Sequence, residues 1–96
     1  MVNGRSGDNL TITGQQLRAA RAILRWTAQE VADAARVGVA TVRRAEMQEG
    51  ALGITVANEA AIRNALEAAG LEFIPENGGG AGVRVRLRKD GTREEH

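Results

Sequence analysis

The apolar positions of the chain recur every three or four residues between residues 13 and 69 and alternate with polar positions after that. The pattern therefore changes from that of helices to that of strands. A threonine followed three residues later by Gln or Glu forms a capping box, which marks a helix start. Such boxes begin at Thr13 and Thr27, and Thr55 can cap a further helix. The predicted helices cover residues 13 to about 25, 28 to about 35, 39 to 47 and 55 to 69.

Two short helices joined by a tight turn at residues 36–38 form the centre of this pattern. The first carries small apolar residues along one stripe, which lets another helix approach closely. The second is predicted to turn Val42 and Ala45 toward the core. Its opposite face then carries Val39, Ala40, Arg43 and Arg44.

The last helix should complete the core and then stop. Helical spacing predicts that Val56, Ile62, Leu66 and Ala69 pack inward and that Glu59, Arg63 and Glu67 lie outside. Gly70 is expected to end the helix in a left-handed conformation, with Leu71 supplying the hydrophobic contact that accompanies such a cap.

A β-hairpin is predicted over residues 71–88. On its second strand Val83, Val85 and Leu87 share one face, which must cover something apolar. A two-stranded hairpin is marginal alone, so it could pack on the chain's own helices, or its exposed edge could pair with the same strand of a second chain. The second alternative makes these three residues a homodimer interface.

Composition and charge narrow the function classes. Ninety-six residues make one domain with a modest core, and the absence of Cys is consistent with a reducing cytoplasm. No apolar run is long enough to cross a membrane, so a cytoplasmic protein without a membrane partner is expected. Residues 1–46 carry a net charge of +3, residues 47–82 carry −4 and residues 83–96 carry +2. Such segregation is expected if one face meets phosphate.

Catalysis is poorly supported by the residue types. The chain has no Cys, and its only His is the terminal His96. No acid pair lies in an identifiable pocket, and one His cannot hold a metal without partners. We therefore expect a protein that is not an enzyme and has no cofactor and no metal site.

Ala32, Val37, Val42 and Glu46 are spaced along the central helix pair, and on these residues the pair resembles the helix-turn-helix of the phage-repressor-like (XRE, Cro/CI-type) DNA-binding proteins. That family places an alanine in the first helix, an aliphatic residue after the turn, another inside the recognition helix and a glutamate at its end. Ala32, Val37, Val42 and Glu46 stand at those offsets, and residues 17–27 extend the match upstream. The resemblance implies a four-helix, lambda-repressor-like domain.

The expected architecture is therefore mainly α, with the helix-turn-helix domain followed by a short C-terminal β-hairpin. The expected segments are a disordered arm at residues 1–12, the DNA-binding domain at 13–70, the hairpin at 71–88 and a flexible tail at 89–96.

By this resemblance, the recognition helix enters the major groove. Base contacts are expected at Val39, Ala40 and Arg44. Phosphate contacts are expected at Thr27, Gln29, Thr41 and Arg43. Arg44 is suited to reading a guanine through its O6 and N7 atoms. The resemblance also implies a largely buried ion pair between Arg21 and Glu46 that fixes the angle of the recognition helix.

The chain departs from the family's pattern at the turn and in the loop that follows. Arg36 stands where Gly is usual, and Gly38 stands where the next helix is usually capped by Ser, Thr or Gln. A left-handed Arg36 costs about 1–2 kcal/mol, unless Gly38 lets the turn take another path. The loop at residues 48–55 has no basic residue, which predicts fewer phosphate contacts.

The expected function is sequence-specific binding of double-stranded DNA by a transcriptional regulator, most simply a dimeric repressor. One alternative is an antitoxin that binds DNA while a strand or tail neutralises a protein partner, for which the edge around residues 83–87 is suited. The other is an antiactivator whose helix-turn-helix occupies another regulator instead of DNA. The apolar Val39 and Ala40 and the loop without bases favour the antiactivator slightly.

Overall fold

The computed structural model describes residues 11–76 and 78–86, which form four helices and one hairpin. The elements are α1 (Gly14–Leu24), α2 (Ala28–Ala35), α3 (Val39–Glu46), α4 (Val56–Ala68), β1 (Leu71–Ile74) and β2 (Gly82–Val85). The predicted mainly helical architecture with a C-terminal antiparallel hairpin is confirmed. The expected arm as far as residue 10, the side chain of Leu87 and the expected tail lie outside the described residues.

Threonine caps begin three of these helices, as the spacing predicts. The hydroxyl oxygens of Thr13 and Thr27 accept the backbone N–H of the residue three positions on. In return, Gln16 and Glu30 accept the backbone N–H of the two threonines, so both capping boxes are closed. Thr55 caps α4 through its hydroxyl. Because these bonds are local, the helix starts could be located from sequence spacing alone.

The core lies where the apolar faces of the four helices meet the inner face of the hairpin. Helix α2 packs against both α3 and α4, and α1 packs against α3. The largest fully buried side chains are Ile12, Leu17, Leu52, Ile62, Leu66, Leu71, Val31 and Val42. Val42 and Ala45 are the buried residues of α3, as predicted. Helix α3 therefore packs against the core through one face, and its opposite face is exposed.

The folded body begins before the expected domain boundary at residue 13. Ile12 is 2% exposed, and its N–H donates to Glu59 Oε2 at 2.9 Å. Ile12 precedes the N-cap Thr13, and Leu17 is the fourth residue of α1; both belong to the buried cluster. These are the two positions of a hydrophobic staple, which fixes how the chain enters a helix. The assignment of Ile12 to a disordered arm is therefore wrong.

Two predictions for α4 are also wrong. Val56 is 83% exposed, because helical geometry places it about 120° around the helix from the buried Ile62. Arg63, expected outside, is buried: its guanidinium carbon lies 5.6 Å from the centre of the Phe73 ring. Its Nε donates to Glu67 Oε2 at 3.0 Å, so the ring and the carboxylate together compensate for the burial of the charge.

The inner face of the hairpin packs on the chain's own helices. Leu71 pairs with Val85 and Phe73 with Val83, so the four side chains share one face. Leu71 and Phe73 are buried, and the two valines are half-buried against the same core. The face therefore packs on the chain's own helices, and pairing of the strand's edge with a second chain stays a prediction.

Gln16 ties the hairpin to α1. Its Nε2 donates to the carbonyl oxygens of Ile74 at 3.2 Å and Gly82 at 2.8 Å, and its Oε1 accepts the Thr13 N–H at 2.8 Å. Both polar atoms of this 4% exposed residue are thus satisfied. One residue therefore caps α1 and positions the hairpin.

Candidate nucleic-acid interface

The turn between α2 and α3 determines how α3 projects from the body. Arg36 ends α2 with φ 61° and ψ 44°, a left-handed conformation. The N–H of Val37 returns to the carbonyl oxygen of Ala32 at 3.0 Å. Gly38 is extended, with φ −70° and ψ 145°, and begins α3 without a side-chain cap. The turn therefore has a left-handed residue at Arg36, and Gly38 does not provide the alternative backbone path.

Replacing Arg36 with glycine is expected to raise the free energy of unfolding by about 0.5–1 kcal/mol. A left-handed conformation costs an L-residue about 1–2 kcal/mol, and the greater freedom of glycine in the unfolded chain offsets part of the gain. Chemical denaturation measures the difference. Ala34→Gly, at an exposed position of α2, is the control and should lose about 0.5–1 kcal/mol. A destabilised Arg36→Gly variant would contradict the left-handed turn.

The side of α3 that faces away from the core presents the predicted arginines. Ala40, Arg43 and Arg44 are exposed and lie three and four residues apart, so they share one face. Neither arginine side chain has a hydrogen-bond or ion-pair partner among residues 11–76 and 78–86. Val39 and Thr41 lie on either side of this face and are half-buried. Five of the residues expected at DNA therefore lie on or beside one surface.

Met47 extends this face and was missed by the sequence reasoning. It is the residue after α3 and keeps helical angles, with φ −75° and ψ −13°. Because it follows Arg43 by four residues and Arg44 by three, it lies between them on the same side. Its side chain is 80% exposed. Ala40, Arg43, Arg44 and Met47 are called the outward stripe below.

Two arginines of α1 hold the C-terminal end of α3. Arg21 donates through Nε and Nη2 to both carboxylate oxygens of Glu46, and through Nη1 to the carbonyl oxygen of Trp26 at 3.0 Å. Arg18 donates to the carbonyl oxygens of Glu46 and Gln48. Carbonyl groups at a helix end lack internal partners and carry the negative end of the helix dipole, so a guanidinium there is stabilising.

Arg21 and Glu46 thus form the ion pair that the resemblance implies, but their side chains are buried to different extents. The side chain of Glu46 is 11% exposed, whereas that of Arg21 is 31% exposed. The pair is partly rather than largely buried. Since Arg21 also binds the carbonyl oxygen of Trp26, it joins the end of α1, the start of α2 and the end of α3.

The start of α2 supplies the remaining residues expected at phosphate. Thr27 is exposed, but its hydroxyl caps the helix, and Gln29 donates to Asp33 Oδ1 at 2.9 Å. Arg25 is exposed, has no side-chain partner among the described residues and lies two positions before Thr27. It lines a cleft of about 350 Å³ with Arg18, Arg21, Ala22, Trp26 and Thr27. Arg25 is therefore a stronger candidate for phosphate than Gln29.

Other kinds of site find less support in the described part of the chain. No group of three or more His, Cys, Asp or Glu side chains among those residues could hold a metal ion. None of the helices they form is long and apolar enough to cross a membrane. A cleft of about 570 Å³ lies between the start of α1 and the tip of the hairpin, and its lining includes no residue of α2 or α3.

A scan of protein-family models found no match to this chain, and a search of curated protein sequences found none either. A functional inference therefore rests on the residues themselves. The outward stripe of α3 is the feature with the clearest chemistry, because it combines unpaired cations with a fixed orientation.

Proposed function

We propose that this chain is a phage-repressor-like helix-turn-helix protein that binds a specific site in double-stranded DNA and regulates transcription. In this proposal α2 and α3 form the helix-turn-helix, and α3 is the recognition helix that enters the major groove. The observation that carries the proposal is the outward stripe, whose two guanidinium groups have no partner among the described residues and whose neighbours on the stripe include no acid.

Arg44 is the residue proposed to read a base. A guanidinium in the major groove can donate two hydrogen bonds to O6 and N7 of guanine, which contributes about 1–3 kcal/mol of discrimination. Ala40, one turn earlier on the stripe, can contact a thymine methyl group. Val39 offers less surface to a base because it is half-buried against the core.

Phosphate contacts would flank the groove on both sides of α3. Arg43 and Thr41 lie beside the base-reading position. Thr27 caps the start of α2, where the helix N-terminus favours an anion, and Arg25 lies two residues before it. The loop after α3 adds the acid Glu49 and no base. Few phosphate contacts should therefore come from this loop, so affinity depends strongly on the cations of the helices.

Fluorescence anisotropy with labelled duplexes tests the proposal. The probes are a duplex recovered by the protein from a randomised pool and a scrambled duplex of the same composition, each titrated at about 50 mM and about 200 mM salt. The recovered duplex should bind about a hundredfold or more tightly than the scrambled one, and both affinities should fall as salt rises. Failure to recover any sequence, or equal binding to both duplexes, would contradict the proposal.

Arg43→Ala is expected to weaken binding to both duplexes by about the same factor. A phosphate contact carries no sequence information, so the variant should lower the slope of log affinity against log salt by about 1 and keep the preference. Arg84→Ala is the matched control, because Arg84 is an exposed arginine of the hairpin that pairs with Glu72 at 3.1 Å. Loss of sequence preference in Arg43→Ala would contradict a phosphate role.

The proposed regulator is a homodimer paired through the outer edge of β2. The Arg86 N–H donates to the Gly70 carbonyl oxygen at 2.8 Å, and antiparallel alternation from that bond turns the backbone N–H and C=O groups of Val83 and Val85 away from β1. Such an edge can accept a further strand. The valine side chains face the core, so pairing would use the backbone.

Light scattering with Val85→Pro tests this edge. Proline removes a backbone N–H that points away from β1, so it should block pairing between chains without removing a bond of the hairpin. The wild type should be dimeric and Val85→Pro monomeric, while Val85→Ala, which shortens the side chain and keeps the N–H, should stay dimeric. A monomeric wild type, or an unchanged dimer in Val85→Pro, would contradict pairing through β2.

The same edge favours a second candidate function, that of an antitoxin whose β2 accepts a strand of a protein partner. This alternative predicts a wild-type chain that is monomeric and forms a stable complex of defined stoichiometry with one partner. An antitoxin would keep its salt-dependent affinity for DNA, whereas loss of that affinity would favour an antiactivator that occupies another regulator through its helix-turn-helix.

A further inference from the structure

Met47 stands apart from the other exposed hydrophobic residues of the described chain. Three large apolar side chains are exposed there: Ile23 at 42%, Met47 at 80% and Val56 at 83%. Ile23 belongs to α1, and Val56 begins α4. Only Met47 lies on the outward stripe, between two arginines that have no partner among the described residues. An apolar side chain therefore lies at the C-terminal end of the surface proposed to face DNA.

The last turn of α3 fixes the direction of this side chain. The N–H of Met47 donates to the Arg44 carbonyl oxygen at 3.3 Å, and that of Gln48 donates to the Ala45 carbonyl oxygen at 3.2 Å. These bonds span three residues and hold the helical path beyond Glu46. Long side chains on a helix point back toward its N-terminus. Met47 is thus directed over the turn that carries Arg43 and Arg44.

We infer that Met47 reads a thymine, an inference that rests on the proposed function of α3 as the recognition helix. The C5 methyl of thymine is an apolar group displayed in the major groove, and side-chain methyl groups can contact it. The unbranched thioether of Met adapts to such a contact.

The flanking charges favour DNA over a protein as the occupant of this position. Arg43 and Arg44 neighbour Met47 at four and three residues, and the outward stripe contains no acid. An apolar protein surface placed on Met47 would have to cover both guanidinium groups, which is costly unless it supplies acids. DNA supplies both kinds of contact, because phosphates border the major groove and thymine methyl groups lie within it.

Single replacement of thymidine by deoxyuridine tests the inference, because it removes only the methyl group. The probe is a fluorescein-labelled duplex that the wild type recovers from a randomised pool, remade with deoxyuridine at one thymidine at a time. At the thymidine that Met47 contacts, which is distinct from any that Ala40 contacts, the wild type should lose about fourfold in affinity, the value expected for one buried methyl group. In Met47→Ala this loss should disappear while the preference for guanine remains.

Val56→Ala is the matched control, since it shortens an equally exposed apolar side chain outside the stripe. It should keep the fourfold loss, and both variants should fold because neither side chain packs in the core. A recovered site at which Met47→Ala shows the same deoxyuridine losses as the wild type would overturn the inference and leave the proposed function standing. A wild type that recovers no site would overturn both. A changed oligomeric state in Met47→Ala, with the deoxyuridine losses unaltered, would make Met47 a protein contact and overturn the inference.

Discussion

Replacing Gly14 with alanine is expected to lower the free energy of unfolding by about 2–4 kcal/mol. A Cβ atom on Gly14 would overlap the carbonyl oxygen of Gln48 and lie 2.9 Å from that of Ala45. The Gly14 N–H also donates to the Gly50 carbonyl oxygen at 2.8 Å. Separating these groups costs overpacking strain and weakens a hydrogen bond. Helix propensity alone predicts the opposite sign, a gain of about 0.5–1 kcal/mol.

Urea denaturation of Gly14→Ala beside the wild type measures this effect, which corresponds to a fall in melting temperature of about 10–25 °C. Gly79→Ala is the control, because a Cβ there meets no atom within 4 Å and its φ is not positive. The control should change stability by less than about 0.5 kcal/mol. An equally stable or more stable Gly14→Ala variant would contradict the close approach of α1 to the end of α3.

Replacing Glu46 with leucine is expected to cost about 2–3 kcal/mol. The change removes both carboxylate acceptors of Arg21 and leaves its guanidinium partly buried without a counter-charge. A fully buried pair would lose about 3–5 kcal/mol, but the Arg21 side chain is 31% exposed, so water can solvate part of the charge. The end of α3 should become less ordered as a result.

A double-mutant cycle with Arg21→Met separates the ion pair from the packing of Glu46. The variant that carries both changes should be more stable than Glu46→Leu alone, because no uncompensated charge remains. Arg84 and Glu72 form the control pair, since their side chains are 63% and 47% exposed and should couple by less than about 1 kcal/mol. Additive effects of the Arg21 and Glu46 changes would contradict a structural role for the pair.

Features that depend on neighbours in sequence could be predicted. The capping boxes at Thr13 and Thr27 each use two residues three positions apart, so they are visible in the sequence. The common face of Ala40, Arg43 and Arg44 follows in the same way from the helical period. At the turn the sequence leaves two paths, a left-handed Arg36 or a route redirected by Gly38, and the structure takes the first.

Features that depend on distant contacts could not be predicted. The helical period predicts that Arg18 faces solvent. In the fold it donates to carbonyl oxygens at the end of α3, which lie 28 and 30 positions away in sequence. Arg63 is buried because Phe73 returns over it, and periodicity alone places that arginine outside. Gln16 is recognisable as a helix cap, but its bonds to the hairpin span 58 and 66 positions. Long-range packing thus determines contacts that the position of a residue within its helix does not predict.

Strand β2 is a third case. The sequence allows it to pack on the chain's own helices or to pair with a second chain, and the structure shows different surroundings for its side chains and for its backbone. Alternation predicts that Val83 and Val85 share an apolar face, and they do. The face is covered by the chain's own core, while the outer-edge backbone groups of Val83 and Val85 have no hydrogen-bond partner among the described residues. A dimer interface on this hairpin therefore depends on hydrogen bonds rather than on apolar side chains.

The preference of the protein for one DNA sequence tests the central proposal most directly. The quantity is the ratio of dissociation constants for the scrambled and recovered duplexes, measured by anisotropy at one salt concentration for the wild type and for Arg44→Ala. The wild-type ratio should be about a hundred or more, and Arg44→Ala should reduce it by about 5–100-fold through loss of a bidentate guanine contact. A wild-type ratio near one, or an unchanged ratio in Arg44→Ala, would contradict sequence recognition by the outward stripe of α3.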